Sequence, residues 1–226
     1  MTLPSLTLAS LARYSGTFLH PDAPLREARR LFRKYPYLAH LPIVSEEHDY
    51  LALLPRKVLR KASPDTPVKA LSQILADPLL PSATVYDALH KMEKFNITEV
   101  PIVSDEGKYL GLITTRSLVR WWSHLAAVQE PGAVVILETT LSDYSLAEIA
   151  QILESDDIRI LSAYLLAHDT DLRRTYIVLK VNSIYLSRSI HLLERKGYLP
   201  VAVHGDALME EQAQKQLSTL LRYLSI

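Results

Sequence analysis

The chain has 226 residues, 48% of them apolar and 22% charged, a balance that suits an ordinary globular protein of one large or two to three small domains. Its 25 basic and 25 acidic residues cancel, so no overall field draws it to nucleic acid or to an anionic membrane. It has no cysteine, which excludes disulfides, thiolate metal sites and cysteine nucleophiles and fits a cytoplasmic setting.

The N-terminal residues 1–16 read as a leader with a short helix around Leu6 to Tyr14. They lack a basic stretch followed by an apolar run, and no segment of the chain approaches about 18 consecutive apolar residues. Neither a signal peptide nor a membrane span is expected. From Thr17 onward, Leu25, Ala28, Leu31, Phe32 and Tyr35 recur at helical spacing. Apolar runs at residues 41–44 and 51–54 follow, separated by the acidic turn Glu46, Glu47, His48, Asp49, and read as a strand hairpin. Pro55 is expected to open a helix. Residues 63–67 (SPDTP) form a linker, because two prolines so close together break both helix and ladder.

The same series then repeats. Val85, Ala88, Leu89, Met92 and Phe95 form a second helix stripe, followed by strands at 100–103 and 110–113 and a helix starting near Thr115. Residues 41–59 (LPIVSEEHDYLALLPRKVL) and 100–118 (VPIVSDEGKYLGLITTRSL) agree in identity or kind at thirteen of nineteen positions, at a constant offset of 59. The chain therefore carries a tandem unit of about 60 residues. After Pro131 and Gly132 the pattern changes: strand 133–139, helix stripe Leu146, Ile149, Ala150, Leu153, strands 158–167 and 175–181, helix stripe Leu186, Ile190, Leu193 ended by Gly197, and strand 198–203. This βαββαβ order is ferredoxin-like. In residues 206–226, Ala213, Leu217, Leu220, Leu221 and Leu224 line one helical face.

The tandem units, with their PIV strands and the strand-to-helix turn Gly111, Leu112, Ile113, Thr114, Thr115, Arg116, Ser117, resemble a pair of CBS domains. The resemblance covers about residues 5–125. The segment after them resembles an ACT domain, and the arrangement as a whole is similar to bacterial acetoin utilization accessory-type CBS/ACT proteins. The expected fold is thus α/β and α+β: a first CBS repeat (1–63), a second (64–130), an ACT-like domain (131–205) and a C-terminal amphipathic helix (206–226). The resemblance implies a non-catalytic regulatory homodimer, with a cleft for an adenine nucleotide such as AMP or ATP, or another adenosyl ligand, and an unidentified regulated protein as partner. It implies no bound cofactor or metal beyond that ligand.

Carried onto this chain, the resemblance places the ligand against Val100, Pro101 and Ile102 on the strand and Gly111, Thr114, Thr115, Arg116 and Ser117 at the turn. The free amides of a helix start suit a phosphate. Ser117 stands where the family pattern has Asp, which removes a charge-assisted acceptor for ribose worth about 1.5–3 kcal/mol. The second cleft is weaker: Leu41, Pro42 and Ile43 on the strand, then Arg56 and Lys57 in a turn lacking Gly, Thr and Asp together. Basic residues in the first turn of a helix oppose its dipole, so Arg56, Lys57 and Arg116 suggest a phosphate-rich ligand or else a solvated surface.

Elsewhere, Ser145 and Glu148 spell a capping box. The loop before them (Ser142, Asp143, Tyr144) lacks the glycine with which ACT domains approach an amino acid. His168, Asp169 and Asp171 gather oxygen and imidazole groups in a hairpin loop, without a second cluster at metal-ligand spacing. Trp121 and Trp122 suit an interface or linker packing better than base stacking, as no basic stripe accompanies them. No catalytic triad, paired carboxylate, Walker loop or dinucleotide fingerprint is present, so an enzyme is not expected. The alternative from another class is a structural scaffold whose clefts hold nothing.

Overall fold

The computed structural model describes Leu8 and residues 11–13, 15–60, 62–71, 73–125 and 127–205. The C-terminal helix expected over 206–226, and most of the leader helix expected over 6–14, lie outside the described residues. The backbone divides into two compact units, residues 1–121 and 122–226, ahead of the composition change at Pro131. Among the described residues, no helix is long and apolar enough to cross a membrane.

In the first unit, helix α1 (Leu25–Lys34) leads to strands β1 (His40–Val44) and β2 (Tyr50–Pro55). Helix α2 (Val85–Phe95) leads likewise to β3 (Glu99–Val103) and β4 (Tyr109–Thr114), then to α3 (Thr115–Leu125). Every residue of β1 and β3 is buried, which is why these strands read as continuous apolar runs rather than alternating ones. Each hairpin is antiparallel and carries an irregularity at the same place, between Ile43 and Val44 and between Ile102 and Val103. The repeat is therefore structural down to a local detail.

The helix starts differ between the copies. Thr84 caps α2 in a full capping box with Asp87, which the sequence pattern T-x-x-D encodes. Pro55, expected to open a helix, instead ends β2, and the next residues form a 3-10 helix, Arg56–Arg60. Without a residue at position 55 that can cap, the first turn tightens.

The lead-in segments tie the repeats together. Leu19 pairs in parallel with Ile43 and Leu79 with Ile102, so each hairpin gains a third backbone from its own repeat. A fourth comes from elsewhere: Ile74, which lies ahead of α2 in the chain, exchanges two backbone hydrogen bonds with Leu53 at 2.9 and 3.0 Å. Arg13, which lies ahead of α1, does the same with Leu112 at 2.7 and 3.0 Å. Each repeat thus covers an edge with chain that leads into the other, and the exposed backbone groups of β2 and β4 are satisfied.

In the second unit, β5 (Ala133–Thr140), α4 (Leu146–Glu154), β6 (Ile160–Ala167), β7 (Arg174–Val181), α5 (Ser187–Arg195) and β8 (Leu199–His204) follow in order. The sheet order is β6-β7-β5-β8, all neighbours antiparallel. Alternate residues of β5 and β7 (Val135, Leu137, Ile177, Leu179) form one core with Ile149 and Leu153 of α4 and Leu193 of α5, so both helices pack on the same face. Gly132 admits the chain to β5: a Cβ there would lie 1.8 Å from the Val181 carbonyl oxygen, and its φ is +142°.

Candidate functional site

The turn from β4 into α3 is built around a reciprocal bond pattern. Thr114 Oγ1 accepts from the Ser117 amide at 3.1 Å, the Thr114 amide donates to Ser117 Oγ at 3.1 Å, and Ser117 Oγ donates to the Thr114 carbonyl at 2.8 Å. This is a capping box with serine at its third position. Ser117, which replaces the acid of the family pattern, thereby serves the helix start itself. The Thr115 amide and hydroxyl both donate to the Thr98 carbonyl, at 2.9 and 3.1 Å. The amides and hydroxyls of Thr115 and Ser117 thus have acceptors within the protein.

Gly111 has a different reason to be glycine from the one a phosphate would supply. It lies inside β4 with φ +154°, and a Cβ would stand 2.7 Å from the Arg13 carbonyl oxygen. The crossing N-terminal segment requires the missing side chain. Val100 and Ile102 are at most 1% exposed and Pro101 is buried with them, as are Leu41, Pro42 and Ile43 in the other copy. These residues form the packed centre of the hairpins, because β1 and β3 are covered on both faces.

Arg56 also departs from expectation. Its Nη2 donates to the carbonyls of Phe32 and Tyr35, at 3.2 and 3.1 Å, and its guanidinium stacks over the Phe32 ring at 4.8 Å. The cation thus sits at the C-terminal end of α1, where the dipole favours it, rather than opposing the helix it begins. Lys57 is exposed.

Three residues that sequence reasoning passed over meet between the repeats. His40 and Glu99 open β1 and β3 at equivalent positions, 8% and 1% exposed. His40 Nδ1 lies 2.7 Å from Glu99 Oε2, which also accepts from Thr98 Oγ1 at 2.8 Å, while Oε1 accepts from the Ala39 amide at 3.0 Å. A carboxyl group buried this deeply is accommodated because both of its oxygens are hydrogen-bonded. The signal was available as a charged residue heading an otherwise apolar strand, EVPIV, opposite HLPIV in the first copy. Nearby, Tyr37 of the first repeat is 45% exposed, and the Arg116 guanidinium of α3 lies 5.6 Å from its ring centroid. An aromatic face and an exposed cation from different repeats thus share one place.

At the opposite end of the hairpins, the two turns join. The Tyr109 amide donates to the His48 carbonyl at 2.9 Å, and Lys108 Nζ donates to the Glu47 carbonyl at 2.8 Å and to Asp49 Oδ1 at 2.7 Å. That lysine holds the Asp49 carboxyl below its usual range. Glu46, Glu47, His48 and Asp49 thus form a turn in contact with the second repeat; His48 also packs edge-on against Phe18, ring centroids 5.0 Å apart. Burial, together with the Asp77 carboxylate, pushes the Tyr50 phenol well above its ordinary value, and the hydroxyl has no partner among the described residues.

In the second unit, Ser145 Oγ accepts from the Glu148 amide at 3.3 Å, the first half of the expected capping box. The other half is replaced. The Ser145 amide donates to Tyr198 Oη at 3.2 Å, and Tyr198 Oη bonds Glu148 Oε2 at 3.0 Å. Lys196 first, then Tyr198, lowers the Glu148 pKa. A buried tyrosine thus fixes the loop after β5. That loop, with Thr140, Leu141 and Ser142, faces Asp171, Leu172, Arg173 and Arg174 across a cavity of about 620 Å³. His168 Nδ1 accepts from the amides of Asp171 and Thr170, at 3.1 and 3.3 Å, and the ring stacks on Tyr176. Among the described residues, no group of three or more His, Cys, Asp or Glu side chains is placed to hold a metal ion. Trp121 is buried and Trp122 stacks on Tyr164 with ring centroids 5.3 Å apart.

Comparison with known proteins identifies the repeats. Residues 17–65 and 78–124 each match the CBS domain family, so the chain carries a tandem CBS domain pair. Inosine-5'-monophosphate dehydrogenase of Aquifex aeolicus is 32% identical over 104 residues, 44% of this chain. The chain spans only 21% of that relative's length. Among solved structures, the CBS domains of a transcriptional regulator from Streptococcus pneumoniae share 18% identity, with 52% of this chain and 99% of that chain covered and a TM-score of 0.47. A CBS domain pair/ACT domain protein from Thermotoga maritima shares 13% identity over 52% of this chain and 97% of its own, TM-score 0.47. A CBS domain pair in complex with 5-methylthioadenosine and S-adenosyl-L-methionine shares 21% identity over 54% of this chain and 98% of its own, TM-score 0.47.

Proposed function

We propose that the chain is a regulatory protein without catalytic activity, in which the CBS pair senses an adenine nucleotide or related adenosyl ligand and the second unit serves as an ACT-like module for dimerisation or output. The observation that carries this reading is the pairing of exposed Tyr37 with Arg116. A base can stack on the Tyr37 ring while Arg116, at the positive end of α3, meets a phosphate. Val100, Pro101, Ile102 and Gly111 then support the site from the core, and Thr114, Thr115 and Ser117 shape the helix start that presents Arg116. In the other copy, Arg56 is engaged by α1 and Lys57 alone is left to meet an anion, which makes that cleft the poorer one.

The mechanism is population shift. Tyr37 belongs to the first repeat and Arg116 to the second, so a ligand touching both favours one relative arrangement of the repeats over others. A homodimer would transmit that bias to a cytoplasmic protein partner; nucleic acid and membrane are not its targets. A strand-helix-strand-strand-helix-strand unit with sheet order β6-β7-β5-β8 suits the ACT-like role.

A scaffold with ligand-free clefts is the second reading, favoured by the Thr114–Ser117 bonds and by the hydrogen-bonded carboxyl oxygens of Glu99. Calorimetric titration of the full chain with AMP, ADP, ATP, 5-methylthioadenosine and S-adenosylmethionine separates the two. The sensor reading expects binding that weakens for all of them in Tyr37→Ala, and about tenfold or more for the phosphate-bearing ones alone in Arg116→Ala. No heat with any of them at millimolar concentration leaves the scaffold.

A further inference from the structure

Helix α1 carries Arg26, Arg29, Arg30, Arg33 and Lys34 against a single acid, Glu27. Its counterpart α2 is balanced, with Lys91 and Lys94 against Asp87 and Glu93. The concentration of charge on one copy of a repeat, in a chain of zero net charge, is not a requirement of the fold. It coincides with a cavity of about 470 Å³ between α1 and the 3-10 helix Arg56–Arg60, walled by Arg26, Arg29, Phe32, Arg33, Arg56, Leu59 and Pro64. Among the described residues, four guanidinium groups line it and no carboxylate does.

The partners of these four groups show how the charge is held. Arg29 Nη2 donates to the carbonyls of Leu59 and Ala62 at 2.9 and 3.2 Å. Arg56 donates to the carbonyls of Phe32 and Tyr35, as described above. Neutral carbonyls fix both side chains in position, and no acid among the described residues pairs with either. Arg33 has no ion pair among the described residues; only Arg26 has one, with Asp65 outside the wall. Arg56 Nε is buried and has no acceptor among the described residues. Like charges brought together by other forces repel, and a multivalent anion between them removes that cost. Phosphate oxygens match the planar fork of each guanidinium, and Phe32, Leu59 and Pro64 supply the apolar part of a wall whose volume falls within the usual range for small-molecule sites.

We propose that this cavity binds a small polyphosphorylated anion, at a site separate from the Tyr37–Arg116 cleft and independent of the adenosyl reading. The shared chemistry is a chain of two or more phosphates, either inorganic or attached to an organic group. Sodium tripolyphosphate is the first probe, titrated into the full chain by calorimetry against a chloride control of matched ionic strength, followed by ATP and then adenosine. Tripolyphosphate is expected to bind, with its affinity falling at least about tenfold in Arg33→Glu, an exposed position whose change leaves the core intact. It is expected to bind equally to Arg116→Glu. Adenosine, which has no phosphate, should not displace it, and a tighter ATP than tripolyphosphate in the Tyr37→Ala background would mark the organic source. Absence of binding overturns the proposal. So does loss in Arg116→Glu with retention in Arg33→Glu, which would put the anion in the cleft between the repeats.

Discussion

Glu99→Ala is the substitution that most sharply tests how the two CBS repeats hold together. The carboxylate is 1% exposed and takes bonds from the Ala39 amide, His40 Nδ1 and Thr98 Oγ1. Truncation leaves an amide and an imidazole of the first repeat facing a small void with no acceptor. Each orphaned buried donor costs about 1–3 kcal/mol, so the Ala39 amide and the His40 ring nitrogen together cost several kcal/mol. The first unit is therefore expected to lose roughly 3–5 kcal/mol, or on the order of 10–20 °C in melting temperature. His40→Ala should cost less, about 1–2 kcal/mol, because Glu99 keeps the Ala39 amide and the Thr98 hydroxyl. Urea unfolding at pH 7, with peptide-level hydrogen exchange assigning the transition to the first unit, measures both. The double substitution should show a coupling of at least about 1 kcal/mol. A Glu99→Ala protein within about 1 kcal/mol of the original, or strictly additive single effects, would refute the reasoning.

Tyr50→Phe is expected to leave stability unchanged or raise it by up to about 1 kcal/mol at neutral pH, since it deletes a buried hydroxyl with no partner among the described residues. The Tyr50 pKa is raised in the folded state, so its neutral form contributes stability that is present below the unfolded value near 10 and lost as pH rises above it. Urea unfolding at pH 7 and pH 10.5 should accordingly show a shallower alkaline loss in the variant, and an equal loss in both proteins would contradict the assignment. Gly111→Ala is expected to break the Arg13–Leu112 bridge, because its Cβ meets the Arg13 carbonyl oxygen at 2.7 Å. Hydrogen exchange at the amides of Arg13 and Leu112 should accelerate while those of β1 and β2 stay protected; unchanged protection at Leu112 would mean the segment yields without cost.

The repeat itself was legible because its determinants are local and periodic. Continuous apolar runs at 41–44 and 100–103 need both faces covered, and alternation in β7 needs one, so burial shows in composition. Thr84 and Asp87 announce a helix start for the same local reason. The candidate site was less legible. Gly111, Thr114 and Ser117 were read as ligand groups from their place in a motif, and the structure adds for each a contact internal to the protein that the motif does not announce: the crossing of Arg13, or the cap of α3.

What the sequence determined alone is thus the tandem unit and the order of its strands and helices, both set by spacing over a few residues. Tertiary structure decided the rest: that residues leading into one repeat seal the hairpin of the other, that His40 meets Glu99 and Tyr37 meets Arg116, and that four arginines enclose one cavity. Hydrogen bonds and charge pairs of this kind join positions some 60 or more residues apart in several cases, or depend on which way a side chain turns against its neighbours. Local propensity carries no record of either, because both follow from how the two copies pack.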